Sequence, residues 1–272
     1  MITPIRTDPF IFRGKVCEAG YEWIKDAEGK PRLVSRHVPG TGFRPYEPPT
    51  GLFRDFVKLS PTRDAIQEFA RQHGDLFSRY ESRQRAVRSD GTVGHGATLG
   101  TWTQEIGDMR TLVDLWGWIQ DRRIPELKKI IKWTDDDVSY TIKTPRYDTR
   151  DVTLAHAQLT GSGFFSHFSP SDVLLPARCA LQQEINSRIA EQPPTPRLAW
   201  TPEYKQRIIF TPPNLLSAMW LQFAQSVTGE LQLQVCAVCG KHYQIGPGGR
   251  RADSTTCSDA CKQQKWRNTH GK

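Results

Sequence analysis

Cys236-Ala-Val-Cys239-Gly240-Lys241 and, after 17 further residues from Cys239, Cys257-Ser-Asp-Ala-Cys261-Lys-Gln-Gln-Lys-Trp-Arg267 decide how the C-terminal part of this chain folds. Two closely spaced cysteine pairs joined by a link of this length complete a tetrahedron of thiolates around one metal ion. Cys236, Cys239, Cys257 and Cys261 are therefore the expected ligands of one structural Zn²⁺. Gly240 lets the backbone turn tightly after the second cysteine and aim amides at the sulfurs. Cys257 and Cys261, four apart, share one face if the chain turns helical there, with Ser258 or Asp259 in the first turn. That helix is expected to continue through Lys262, Lys265, Trp266 and Arg267. His242 and His270 stand close by in sequence. Four cysteines already fill the shell, however, and a closed all-cysteine site is structural rather than hydrolytic.

The chain has 272 residues and a formal net charge of +8, and its charge is concentrated around these cysteines. From Cys236 onward, Lys241, Arg250, Arg251, Lys262, Lys265, Arg267 and Lys272 face only Asp253 and Asp259, so five of the eight net charges fall in this short tail. Four thiolates with one Zn²⁺ subtract two, leaving the tail at about +3. Arg250 and Arg251, beside the Gly246-Pro-Gly-Gly loop, together with Lys262, Lys265 and Arg267, suit phosphate contact. Trp266 is expected to pack against the finger or the body, as aromatics at helical spacing usually do; stacking on a base is its alternative role. The partners expected are nucleic acid, DNA before RNA, with an acidic protein or a second copy of the chain as the alternative. No helix-turn-helix or other base-reading pattern is present.

Working back toward the N-terminus, the length suits one main body and one small module, here residues 1–230 and 231–272. The fold class expected is α+β: a helix-rich body with short β-hairpins, the hairpin region over about residues 1–50, plus a small C-terminal zinc finger. Runs at Val16 to Ile24 and Leu33 to Val38 flank the turn-like Asp26-Ala-Glu-Gly-Lys30 and read as a hairpin. Ser60-Pro61 is expected to open a helix that ends at Gly74, and residues 78–97 to form an exposed loop. Apolar residues at 102, 106, 109, 112, 113, 116 and 119 recur with a period near 3.6 and predict one long core helix. A helix over Pro125 to Trp133, a strand over Val138 to Lys143 and a helix from Ser169-Pro170 to Ala190 follow. A strand pair at Leu198 to Trp200 and Arg207 to Phe210 leads into a last body helix opened by Thr211-Pro212-Pro213. Cys17 and Cys179 stand alone, a usage that fits a reducing cytosol. Met1-Ile-Thr-Pro-Ile-Arg6 has no apolar targeting core and no window reaches the ~20 apolar residues of a membrane span, so a soluble cytoplasmic protein with no membrane partner is expected.

The cysteine frame, the segment His242-Tyr-Gln-Ile245, the Gly/Arg loop and Cys261-Lys-Gln-Gln-Lys-Trp-Arg267 together resemble treble-clef zinc fingers of the CGNR type. Gly51-Leu-Phe-Arg-Asp-Phe-Val-Lys-Leu59, followed by a helix ending in Phe69-Ala-Arg-Gln-His-Gly74, is similar to the helical ABATE-type domain that precedes such fingers. The resemblance implies a C-terminal finger on a bacterial transcription regulator, with a sensing or assembly domain in front. Lys-Gln-Gln stands after Cys261 where the name-giving motif has Gly-Asn-Arg.

An enzymatic reading has one foothold. Arg150 and His156, six apart, match the Arg-His spacing of certain ribonucleases, against an ordinary structural role for each. No Walker loop, Gly-x-Gly-x-x-Gly, Gly-x-Ser-x-Gly or His-Glu-x-x-His motif occurs.

Overall fold

A computed structural model describes residues 11–36, 40–77, 85–87, 91–134, 138–154, 171–200, 204–229, 232–246 and 249–270. Among these residues it is a mixed α/β structure with seven helices and short antiparallel sheets.

The first hairpin forms around the expected turn, but the run from Val16 to Ile24 is broken at residues 18–20, so that Val16 and Cys17 go to a separate strand, and residues 37–38 of the second run lie outside the described residues. β2 (Tyr21–Lys25) pairs with β3 (Pro31–Ser35), and the Asp26 carboxylate closes the turn by accepting from the Glu28 and Lys30 amides. Beside it β1 (Gly14–Cys17) pairs with β4 (Phe43–Tyr46). Two helices follow, α1 (Leu52–Phe56) and α2 (Arg63–His73). Thr62 caps α2 by accepting from the Ala65 amide, so Pro61 precedes the cap instead of starting the helix. The difference is chemical: a threonine hydroxyl satisfies a free N–H of the first turn, and proline only tolerates its absence.

β5 (Arg85–Val87) and β6 (Val93–His95) form a small hairpin inside the stretch expected to be loop. The central helix α3 (Leu99–Gln120) buries Trp102, Ile106, Met109, Leu112, Leu115 and Ile119, in line with the periodicity. Next, α4 (Ile124–Ile130) stops short of its expected end. Residues 131–133 form β7 (Ile131–Trp133), because Ile131, Lys132 and Trp133 pair with β8 (Val138–Ile142) in a sheet completed by β9 (Arg150–Thr153). Cross-strand pairing here overrides local helix propensity. Helix α5 (Leu174–Glu191) follows; the Ser169-Pro170 start expected for it lies outside the described residues. The ribbon β10 (Thr195–Trp200) and β11 (Gln206–Thr211) precedes α6 (Leu215–Thr228). Asn214 caps α6 by accepting from the Ser217 amide at 2.9 Å, which moves Pro212-Pro213 ahead of the helix.

One apolar core joins these elements. Trp102 stands against Phe56 and Phe69, while Phe223 of α6 meets Phe53, Trp116 and Trp220. Trp102, Trp220, Phe53 and Phe223 are all buried, each stabilising the fold by on the order of 2 kcal/mol through removal of apolar surface from water.

The core also holds a charged network. Gly107 on α3 lets the chain at Pro145 come so close that a Cβ there would stand 2.3 Å from the proline Cγ. Arg146 is thereby carried onto α3, where it pairs with Glu105 at 2.6 Å and Asp108 at 3.1 Å, and also with Glu191 of α5. Arg188 completes the network through Asp108 and Glu191. Three carboxyls thus share two guanidiniums. Burial, together with the neighbouring Asp108 and Glu191, pushes the Glu105 carboxyl up to about 7 against the pull of Arg146 and Arg188. Among the described residues, no helix is long and apolar enough to cross a membrane.

Candidate metal centre

The C-terminal module is a hairpin followed by a helix: β12 (Gln232–Val235), β13 (His242–Ile245) and α7 (Asp259–His270). Cys236 and Cys239 lie on the tight turn between the strands. The turn is closed by the Gly240 amide donating to the Cys236 carbonyl at 3.0 Å and by the Cys236 amide donating to Lys241 at 2.9 Å. Gly240 has φ +69°, a left-handed conformation that glycine enters without steric cost. The Ala237 amide donates to the Thr255 carbonyl at 3.0 Å, tying the first cysteine arm to the second. Cys257 and Cys261 flank the start of α7, and the Ser258 hydroxyl caps that helix by accepting from the Cys261 amide.

All four sulfurs converge. Every pair of ligand atoms in Cys236, Cys239, Cys257 and Cys261 lies within 4.8 Å. Cys257 Sγ stands 3.5 Å from Cys239 Sγ and 3.6 Å from Cys261 Sγ. A tetrahedron with metal–sulfur bonds of ~2.3 Å has edges of roughly 3.8 Å, so the set is proportioned for a metal ion. The electrostatics differ between the sulfurs. Burial works against a Cys236 thiolate, yet the amides of Cys239, Cys257 and Val238 outweigh it and bring the thiol down to about 6. Burial and the surrounding cysteine sulfurs push Cys257 the other way, up to about 12. Four thiolates this close repel one another unless a cation sits among them.

Neither nearby histidine belongs to the cluster. The His242 Nδ1 faces Asp55 Oδ1 of α1 at 3.7 Å, and this contact holds the Asp55 carboxyl below its ordinary range. Leu233 packs against the body core and stands close to Gly51, where an added Cβ would meet it at 2.8 Å. The hairpin of the module is thus seated on α1. His270 stacks on Trp266.

The basic residues occupy different settings. Arg250 reaches back to Asp259 at 2.9 Å and donates to the Cys257 carbonyl, so it braces the start of α7. Lys265 donates to the Thr255 hydroxyl at 2.8 Å. Arg251, Lys262 and Arg267 are exposed. Trp266 is 63% exposed, which corrects the expectation that it packs, and none of the helix's residues is buried. Lys272 and residues 247–248 of the Gly246-Pro-Gly-Gly loop lie outside the described residues.

Of the ribonuclease-like pair, Arg150 lies on β9, paired with Glu184 at 3.4 Å and set over the Tyr147 ring, while His156 lies outside the described residues. A feature that motif reading missed is a cavity of about 330 Å³ in the body, lined among others by Phe43, His73, Asp75, Phe77 and His95. Burial pushes the Asp75 carboxyl up to about 7, opposed by the Leu76 and Ala97 amides, and holds His73 below its ordinary range. Tyr46 hydrogen-bonds the His73 ring. These residues come from β4, α2, β6 and the segment after α2, so no local pattern announces them.

No family model matches the chain, and neither a curated protein nor a solved structure does.

Proposed function

We propose that this is a zinc-finger nucleic-acid-binding protein, a DNA-binding transcription regulator whose N-terminal body serves sensing or assembly. Zn²⁺ is the metal best suited to four thiolates in a closed tetrahedral set. Cys236, Cys239, Cys257 and Cys261 would hold it, and its role is to fix the start of α7 against the hairpin.

The observation that carries the reading is the state of α7. The helix is anchored at one end by Cys261, buries none of its residues, and presents Lys262, Lys265 and Arg267 with a largely exposed Trp266. Exposed cations on a rigid helix suit phosphate, and an exposed indole suits stacking on a base. The resemblance of the cysteine frame and the His242–Ile245 segment to CGNR-type fingers favours the same role, although Lys-Gln-Gln replaces the name-giving Gly-Asn-Arg after Cys261, and the cavity of the body offers room for the sensed ligand.

Fluorescence anisotropy with a short random-sequence DNA duplex tests this. With Arg251, Lys262, Lys265 and Arg267 on phosphates, log affinity falls against log salt with a slope of about −4, a loss of roughly two decades between 50 and 200 mM. Replacing Lys262 and Arg267 by Gln reduces the slope by about 2. An absence of binding at low salt, or an unchanged slope in the double variant, defeats the proposal. Tighter binding to single-stranded RNA than to the duplex would move the assignment from DNA to RNA.

A further inference from the structure

The ribbon of β10 and β11 carries an apolar face that nothing in the described chain covers. Pro196 stands opposite Phe210, Leu198 opposite Ile208, and Trp200 opposite Gln206. Alternation along each strand puts these six residues on one face. Leu198 is 72% exposed, Trp200 63%, Ile208 63% and Phe210 43%. The opposite face holds Arg197, Ala199, Arg207 and Ile209, of which Ile209 is buried. A two-stranded ribbon is marginal in water on its own, and a patch of this kind marks an interaction surface.

We infer that this face is a homodimer interface, packed against the same face of a second copy about a two-fold axis. No residue on it is charged, so placing it against itself brings no like charges together. Its cations, Arg197 and Arg207, belong to the other face by register, which makes the surface a poor match for nucleic acid or an acidic protein. The area suffices. The four large side chains leave roughly 500 Å² uncovered, so two copies bury about 1,000 Å² from these residues alone, the threshold of a specific interface. Trp200 and Phe210 are the kind of residue that concentrates binding energy near the centre of such contacts.

The pairing is face to face. The Ile11 amide donates to the Phe210 carbonyl at 3.0 Å, which occupies the outer edge of β11 at that point. Pro196 has no N–H to offer along the edge of β10, and proline at an edge blocks strand addition. Stacking of the two ribbons through Leu198 and Ile208 satisfies both constraints.

Light scattering on the zinc-loaded full chain at tens of micromolar, read with hydrogen exchange, tests the inference. The wild type is expected at twice its 31.0 kDa chain mass, with protection of the 195–211 amides rising with concentration. Leu198→Asp with Ile208→Asp is expected to run at the chain mass with an unchanged circular dichroism spectrum, and Leu198→Met to remain dimeric. A monomeric wild type overturns the proposal. So does a dimer that survives the double aspartate variant, which places the interface elsewhere. Strong protection of 195–211 in protein that runs at the chain mass means that the face is covered within one chain, and overturns it as well.

Discussion

Glu105→Gln removes a proton-binding site from the network that joins α3, Arg146 and α5. The carboxyl is 5% exposed, and its value rises from 4.5 to about 7. A carboxyl whose folded value lies above its unfolded one holds its proton more tightly in the native state. Its contribution to stability is complete below about 4.5 and is lost as pH rises through about 7. At ~1.4 kcal/mol per unit, the displacement corresponds to a ceiling of about 3 kcal/mol. The cause is burial first, with Asp108 and Glu191 adding to it against the pull of Arg146 and Arg188: among the described residues three carboxyls pair with two guanidiniums, so one proton lowers the charge imbalance of a water-poor site. Glutamine keeps the size and an oxygen that accepts from Arg146 while fixing the site neutral. Urea denaturation at pH 5 and pH 7.5 of both proteins isolates the effect. The cysteines and Asp75, which titrate in both proteins, cancel in the difference between them. The loss of stability from pH 5 to 7.5 is expected to be smaller in the variant by roughly 2 to 3 kcal/mol. Equal losses in the two proteins would refute the reasoning, and a larger loss in the variant would reverse its sign.

Two further outcomes follow from the packing. Gly107→Ala, which in an open helix adds up to ~1 kcal/mol, is expected instead to destabilise by about 1 to 3 kcal/mol, because its Cβ would press on Pro145; thermal unfolding decides the sign. Trp266→Ala is expected to change stability by less than ~0.5 kcal/mol, since the ring is 63% exposed; a loss of several kcal/mol in urea would show that it packs.

What was legible in the sequence is what local chemistry decides. The metal ligands announce themselves because four thiolates at these spacings have few other uses, and α3 because its apolar residues repeat at the helical period over many turns. The turn of the β2–β3 hairpin was readable for the same reason, from β-type runs flanking Asp26-Ala-Glu-Gly-Lys30. Helix starts were misread at Pro61 and at Pro212-Pro213, where the prolines drew attention away from Thr62 and Asn214, whose side chains do the capping. Residues 131–133 were misread as helix because the decision lies with partners on β8, beyond any local window. The Glu105–Arg146 network, 41 residues apart, and the Asp75 cavity need the tertiary fold before their members meet. Residue type and helical spacing point Trp266 toward packing, yet it is 63% exposed on a helix with no buried residue.

The four-sulfur centre is the claim on which the finger stands, and the zinc content of purified protein measured by plasma mass spectrometry tests it most directly. One zinc per chain is expected in the wild type, falling to near zero in Cys236→Ser and Cys257→Ser variants, with loss of the α7 helical signal as the metal leaves. Protein prepared with zinc present that holds well under one ion per chain, or variants that keep the ion, would contradict the account.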